Sequence, residues 1–256
     1  MPVPLRYPAD WDGFAAQLPE LLAHSDGSWT RDVGAQAALF GDAAPALGQT
    51  CSTDWVAPEG WAALGRNVAM HADDTRYARL LAFARRLHRE PSLWGDVLDP
   101  DRRHLQGMAR QVGREIHKMH AFVRFREVAD DQAAGGRRHV AWFEPSHHVL
   151  RAVAPFFVRR FAQHPWALLT PLGCLHWDGR RLAGTGPASR EDAPAEDAGE
   201  ALWLTYYRSI FNPARLKVAA MKKEMPVRYW ANMPETQLIS ELVRDAPGRE
   251  GRMRGA

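Results

Sequence analysis

The strongest hydrophobic pattern along the chain lies in residues 104–121. Leu105, Met108, Val112, Ile116 and Met119 recur at spacings of three and four. At about 100° per residue they fall on one narrow stripe, which predicts an amphipathic helix. The opposite stripe carries Arg110, Arg114 and His117, with Lys118 beside them. One face therefore packs, and the other presents positive charge. The period then falls to two. In Phe122–Val128, Val123 and Phe125 alternate with Arg124 and Arg126, which predicts a half-buried strand. The polar stretch 129–138 contains Gly135-Gly136 and predicts the loop of a long hairpin, with His139–Phe143 as its second strand.

Further along, Leu150, Ala154, Phe157 and Phe161 share one stripe of a helix predicted from Pro145 to Phe161. Pro155 lies inside it and is expected to kink or split it. Trp166–Thr170 and Cys174–Trp177 read as a second strand pair, turned at Pro171 and Gly173. Upstream, the pattern predicts a short strand near Leu5–Tyr7 and helices over Asp12–Ala23 and Thr75–Arg89, with mixed periodicity between them. Downstream, Glu200–Phe211 is apolar and aromatic enough to be a buried helix. Asn212-Pro213 starts the next, which runs to Met225. Short helices follow from Pro226 and over Thr236–Val243. Residues 183–199 read as a loop. The expected fold is α+β: a small, mainly antiparallel sheet packed by several helices, with a helical C-terminal part. No linker interrupts it, so residues 1–245 are expected to form one composite domain, with 246–256 as a fraying tail.

Composition changes this picture through charge rather than hydropathy. The 256 residues are 46% hydrophobic and 25% charged, which excludes a disordered or collagen-like chain. No run of about 18 apolar residues exists, so no membrane span is expected. The 33 basic and 30 acidic side chains give a formal charge of +3. That small number conceals an asymmetry. Residues 1–100 hold 8 Lys and Arg against 13 Asp and Glu, whereas 101–181 hold 14 against 7. A basic middle beside an acidic start points to a local anion-binding face. The two cysteines, Cys51 and Cys174, form no C-x-x-C or zinc spacing, and the N-terminus lacks a signal-peptide core. The expected location is the reducing cytoplasm.

The candidate chemistry follows from that basic middle. Arg110, Arg114, Lys118, Arg124, Arg126 and Arg160, joined by Arg215, Lys217 and Lys222, form a candidate nucleic-acid-binding set, with Arg159 and Lys223 as possible additions. Several cations together suit a phosphate backbone, because each neutralised phosphate releases counterions. Separate solvated faces with internal ion pairs would give the same counts. The spacing fits no helix-turn-helix, zinc finger or RNA-recognition motif. Tyr206-Tyr207-Arg208 and Arg228-Tyr229-Trp230 could stack unpaired bases, but aromatics at helical spacing are usually core, and that is the stronger reading.

Seven of the eleven histidines lie between 117 and 176. His117 and His120 are three apart on the predicted helix, and Glu144, His147 and His148 follow a strand exit. His117, Glu144 and His147 are the candidate catalytic residues, as a general acid and base or as ligands activating water. Their spacing equals no known metal motif, so neither a metal nor a cofactor is expected. Glu115, Glu127, Glu144 and Asp178 could serve a magnesium nuclease site or pair with neighbouring arginines. No Walker loop, G-x-G-x-x-G or G-x-S-x-G element is present.

Several segments carry a family resemblance: R-E-I-H-K-M-H-A-F-V-R-F-R-E at 114–127, A-W-F-E-P-S-H-H-V-L at 141–150 and P-F-F-V-R-R-F at 155–161. W-A-L-L-T-P at 166–171, Y-Y-R-S-I-F-N-P-A-R-L-K at 206–217 and M-P-V-R-Y-W-A-N-M-P-E at 225–235 add to it. Together they resemble domain of unknown function 4130, a family of DNA-metabolism proteins. Its members occur alone beside a radical SAM repair protein or fused to a UdgX-type uracil-DNA glycosylase. The resemblance implies a cytoplasmic DNA-repair accessory protein that binds DNA and works with such a partner enzyme. It does not imply uracil excision, which belongs to the other domain of the fusions. Two alternatives remain open: a nucleic-acid-processing enzyme centred on His117, Glu144 and His147, and a protein-interaction module without DNA affinity.

Overall fold

The computed structural model describes residues 2–3, 5–23, 30–31, 55–130, 136–194 and scattered positions from 204 to 244. The fold is α+β, as the periodicity predicts. The chain sorts into two compact units, neither of them contiguous in sequence. The first comprises Met1–His117, Pro145–Val153 and Gly184–Gly186. The second comprises Lys118–Glu144, Ala154–Ala183 and Pro187–Ala256.

The first unit is helical. A two-residue strand β1 (Pro2–Val3) pairs in parallel with β2 (Thr30–Arg31). Helices α1 (Trp11–Ala23), α2 (Trp61–Ala69) and α3 (Arg76–Arg89) pack around an aromatic core. The first part of α4 (Pro100–Phe122) adds Leu105 and Met108 to that core. At its centre, Trp61 meets Trp11, Trp55 and Trp94 edge-on at ring separations of 6.1, 6.3 and 6.2 Å. Such tilted contacts are preferred over face-to-face sandwiches because ring edges are positive and ring faces negative.

Two buried charges anchor this unit. The Arg76 guanidinium is 1% exposed and donates to the carbonyls of Ala69, Asp73 and Pro8 at 2.8, 3.0 and 2.6 Å. Its donors are thereby satisfied, as burial requires. Asp10 is fully buried at the head of α1. Its carboxylate accepts the Gly13 N–H at 3.0 Å and the Arg6 Nε and Nη2 N–H groups at 2.9 and 2.7 Å. Asp10 is thus an N-cap with a charged partner. A Cβ at Gly13 would run into this carboxylate.

The second unit is built on a sheet of order β3-β4-β5-β6-β7. Its strands are Arg126–Ala129, Arg137–Trp142, Trp166–Thr170, Gly173–Trp177 and Leu182–Thr185. β3–β4 and β5–β6 are antiparallel hairpins, and the central β4–β5 pair is parallel. Parallel neighbours need a crossover, which α5 (Leu150–Arg160) provides. In the first hairpin Gly136 takes φ +69°, where a side chain would be strained, and its carbonyl accepts the Asp130 N–H at 3.0 Å. In the second, Thr170 Oγ1 donates to the Gly173 carbonyl at 2.7 Å and accepts the Leu172 N–H at 3.1 Å, closing the turn.

The structure departs from the sequence expectation at several points. β3 begins at Arg126 rather than Phe122, because α4 continues to Phe122 and Phe125 turns into an aromatic cluster. α5 begins at Leu150 rather than Pro145. The preceding segment is held by other bonds: the His148 N–H to the Met70 carbonyl at 2.8 Å, and the Ala72 N–H to His147 Nδ1 at 3.1 Å. Pro155 does not split α5; it is exposed, on the side where water can serve the carbonyl it leaves unbonded. Residues Leu5–Tyr7 form no strand, and 183–199 include β7 and a 3₁₀ turn at Arg190–Asp192. A 3₁₀ helix at Val227–Asn232 follows Pro226. The predicted helix at Glu200–Phe211 and the tail 246–256 lie largely or wholly outside the described residues.

Two stability predictions follow from the first unit. A Cβ at Gly65 would overlap three ring carbons of the buried Trp11 indole. Gly65→Ala should therefore destabilise the protein by about 1–3 kcal/mol, despite alanine's better helix propensity. In chemical denaturation the cost should shrink in a Trp11→Leu background; equal costs in both backgrounds would refute the clash. Acid should act through Asp10. Burial raises its pKa, but the Arg6 side chain and the Gly13 and Arg6 backbone N–H groups outweigh this and hold it below 3.8. A depressed native pKa stabilises above the unfolded value, and that gain disappears as pH falls through the native one. Wild type should thus melt well above Asp10→Asn at pH 6, with the gap closing only below about pH 4. A gap independent of pH would disprove the assignment.

Candidate functional site

Helix α4 carries the most regular basic feature. Arg103, Arg110, Arg114 and His117 follow one another at spacings of seven, four and three, so they share one stripe of the helix. All four side chains are exposed. The helix has only two carboxylates, and both are engaged elsewhere. Asp101 pairs with Arg86. Glu115 is buried, and its Oε1 accepts the Ser146 N–H at 3.3 Å. Arg103, Arg110 and Arg114 form no ion pair with any described residue. Their charge is therefore presented to solvent without a local counterion among the described residues.

Of the remaining candidate cations, Lys118, Arg124 and Arg126 are more closely held. Lys118 donates to the Glu224 carbonyl and lies 3.8 Å from its carboxylate, with Nζ over the Phe122 ring. Arg124 donates to the Ala121 carbonyl at 2.7 Å, and Arg126 to the Pro194 carbonyl at 2.9 Å. Together with Arg190, Arg124 and Arg126 line a small notch, about 10 Å³, against Val140, Trp142 and Pro194. That volume admits about one water-sized group. Arg159, Arg160 and Lys222 are exposed, whereas Arg215, Lys217 and Lys223 lie outside the described residues.

A larger pocket, about 620 Å³, opens in the second unit, within the size range of ligand sites. Phe125, Phe156, Phe157, Phe161 and Trp166 form its aromatic wall. Phe125 meets Phe161 at 5.0 Å and Trp166 at 5.7 Å, both rings inclined, which fixes the wall's shape. His120, His139, His164, Arg124 and Arg160 supply the polar lining. His120 stacks on Phe156 at 4.0 Å, and His164 lies 5.3 Å from His139. No acidic residue is among the described residues that line the pocket. The Glu127 carboxylate lies beside one lining histidine, with Oε2 4.0 Å from His139 Nε2 and Oε1 held by Arg137 at 2.5 Å. Trp166 is 1% exposed, yet its indole N–H meets no acceptor, and the buried Nδ1 of His139 is likewise without a partner among the described residues.

The three candidate catalytic residues have distinct surroundings. His117 is exposed on α4. Glu144 is exposed and accepts the Trp142 indole N–H at 3.1 Å. His147 is buried, its Nδ1 accepting a backbone N–H and its ring 4.5 Å from that of His71. Among the described residues no three His, Cys, Asp or Glu side chains are grouped to hold a metal. The other carboxylates are similarly engaged. Asp178 accepts the Arg180 and Arg181 N–H groups at 2.7 Å each, and these hold its carboxyl below the ordinary range. Near the sheet, burial and then the charge of Arg138 push the His176 imidazole below its ordinary value, so it is neutral at pH 7.

Sequence reasoning missed Arg103, Arg190 and most of the pocket. The signal that could have found the pocket was present: three of the seven central histidines line it, and the F-F-V-R-R-F run supplies four further lining residues. What the sequence lacks is the convergence of four separated segments.

Among the described residues no helix is long and apolar enough to cross a membrane. No curated protein and no solved structure matches the chain. A family model does, described as Domain of unknown function (DUF4130), over residues 72–235. That span contains α3, α4, the sheet and the pocket, and it covers well over half of the sequence. The chain therefore belongs to the domain of unknown function 4130 family.

Proposed function

We propose that the protein is a DNA-metabolism accessory protein that binds DNA through the basic face of α4 and works with a partner repair enzyme. The observation that carries the reading is the stripe Arg103, Arg110, Arg114 and His117, exposed along one helix whose two carboxylates are engaged elsewhere. An arginine without a protein counterion keeps its full attraction for phosphate, and each phosphate it neutralises releases a counterion. Arginine also offers a fork of donors suited to phosphate oxygens. Small residues, Gly107 and Ala121, occupy the same stripe, leaving room for a backbone to approach. No base-reading motif accompanies the stripe, so the expected binding is insensitive to sequence. The partner enzyme rests on the resemblance alone, through the radical SAM and uracil-DNA glycosylase proteins that accompany such domains.

The test is DNA binding as a function of salt, with wild type and an Arg110→Glu/Arg114→Glu double variant. Wild type should bind duplex DNA at low salt, with affinity falling as salt rises. The double variant should bind roughly tenfold or more weakly, with a shallower salt slope, since about 0.9 of a counterion accompanies each lost phosphate contact. An unchanged melting temperature would show that the fold is intact. Absence of binding by wild type at low salt, or equal affinities for the two proteins, overturns the proposal.

A further inference from the structure

We infer that the aromatic pocket of the second unit is a binding site for one unpaired nucleotide, its base against the phenylalanine and tryptophan wall and its phosphate toward Arg160 and Arg124. The inference deepens the DNA-binding reading and rests on it for the nature of the polymer, but its site is a different one.

Three observations point to this ligand. The first is shape and surface. The pocket's volume of about 620 Å³ and its wall of Phe125, Phe156, Phe157, Phe161 and Trp166 suit a flat, apolar-faced group. Every nucleobase has such a face, and base-on-aromatic stacking tolerates any base. The second is charge. Among the described residues, two arginines and three histidines line the pocket and no carboxylate does. Arg160 is exposed, lies over the Phe161 ring at 5.6 Å, and forms no ion pair with a described residue. A neutral apolar ligand would leave these cations without a role; an aromatic anion answers both the rings and the charges. The third is polar demand. The Trp166 indole N–H is buried with no acceptor, and His139 Nδ1 is buried with no partner among the described residues. A buried donor without an acceptor is costly. Both side chains line the pocket, but these two atoms have essentially no accessible surface, so a small side-chain shift on binding would bring them to a nucleobase edge, whose carbonyl oxygens, ring nitrogens and exocyclic amines supply acceptors and donors together. A simple aromatic carboxylate has no such edge.

The adjoining notch extends the argument. Arg124 lines both the pocket and the three-arginine notch with Arg126 and Arg190. The notch has room for about one oxygen-sized group. It suits an oxygen of a neighbouring phosphate as the strand leaves the pocket. Duplex DNA keeps its bases stacked and cannot fill such a pocket without extruding one. The site therefore confers a preference for single strands or for a base already out of its pair.

The test uses the full chain with thymidine 5′-monophosphate, inorganic phosphate, benzoate, an eight-residue oligothymidylate and a duplex. Calorimetry should show thymidine monophosphate binding, with phosphate and benzoate weaker. Phe156→Ala and the exposed-site variant Arg160→Gln should each weaken oligothymidylate binding by about tenfold, and Phe156→Ala should leave duplex binding unchanged. His164→Ala, also at an exposed position, provides a third variant should Phe156→Ala fail to fold. Wild-type affinity for oligothymidylate in both Arg160→Gln and His164→Ala overturns the inference, as does binding of phosphate or benzoate as tightly as the nucleotide. Failure is separable from that of the proposed function. If duplex binding depends on Arg110 and Arg114 while the pocket variants change nothing, only the pocket assignment falls. If thymidine monophosphate binds and loses affinity in the pocket variants while the α4 variant is neutral, the pocket stands and the α4 face does not.

Discussion

The parallel pairing of β4 with β5 is the constraint on which the second unit depends. It sets His139 beside Trp166 and carries the register through Val140–Ala167, Ala141–Leu168 and Trp142–Leu169. Parallel strands cannot be joined by a tight turn, so α5 must cross between them, and β5 is then buried along its whole length. Alternation sends Val140, Trp142, Ala167 and Leu169 to one face, where they pack with Cys174. Trp166 emerges on the other, against Phe157 of α5 at 6.2 Å. The pocket is the place where this face is incompletely filled, at the strand ends where α4 and α5 finish. A slip of one residue in the β4–β5 register would turn Trp166 away from Phe157 and dissolve the pocket's wall.

Charge follows a similar logic of location over number. Two of the carboxylates in the acidic first hundred residues are taken inside the fold. Asp10 and Asp99 are buried and hold Arg6 and Arg86, and exposed Asp101 joins Arg86 as well. For Asp99, burial works against ionisation, but the Arg102 N–H and the Arg86 guanidinium prevail and keep it ionised. Those acids are therefore matched inside the fold. The arginines of α4 are not, and the same formal charge does different work in the two places. This is why net charge by sequence block anticipates the basic helix and does not show which acids are taken inside the fold.

Most of the fold was legible because its elements have single periods. The stripe Leu105, Met108, Val112 and Met119 is buried as the spacing predicts, and the two hairpins lie where alternating runs meet turn residues. What was not legible depends on tertiary contact. α2 is hidden because Gly65 weakens its helical signal, and Gly65 is there to make room for Trp11. The start of β3 was misplaced because Val123 and Phe125 alternate with arginines like strand residues, while Phe125 is in fact fixed by Phe161 and Trp166. Of the candidate site, the α4 arginines were readable as one helix face. The pocket was not, since residues 120–125, 139, 156–161 and 164–166 meet only once the parallel pair and its crossover are formed.

The two proposed sites would act on different energetic terms. An exposed arginine stripe binds a phosphate backbone of any sequence, strongly at low salt and weakly at high salt. It cannot tell a paired base from an unpaired one. An aromatic pocket recognises only a base free of its stack, and for duplex DNA that freedom costs a few kcal/mol, least where a base is mismatched or damaged. The stripe alone would retain the protein anywhere on DNA. The pocket alone would offer one nucleotide's worth of affinity. If both proposals hold, the protein would bind intact duplex weakly and a displaced base more tightly, which is the behaviour the proposed accessory role would call for.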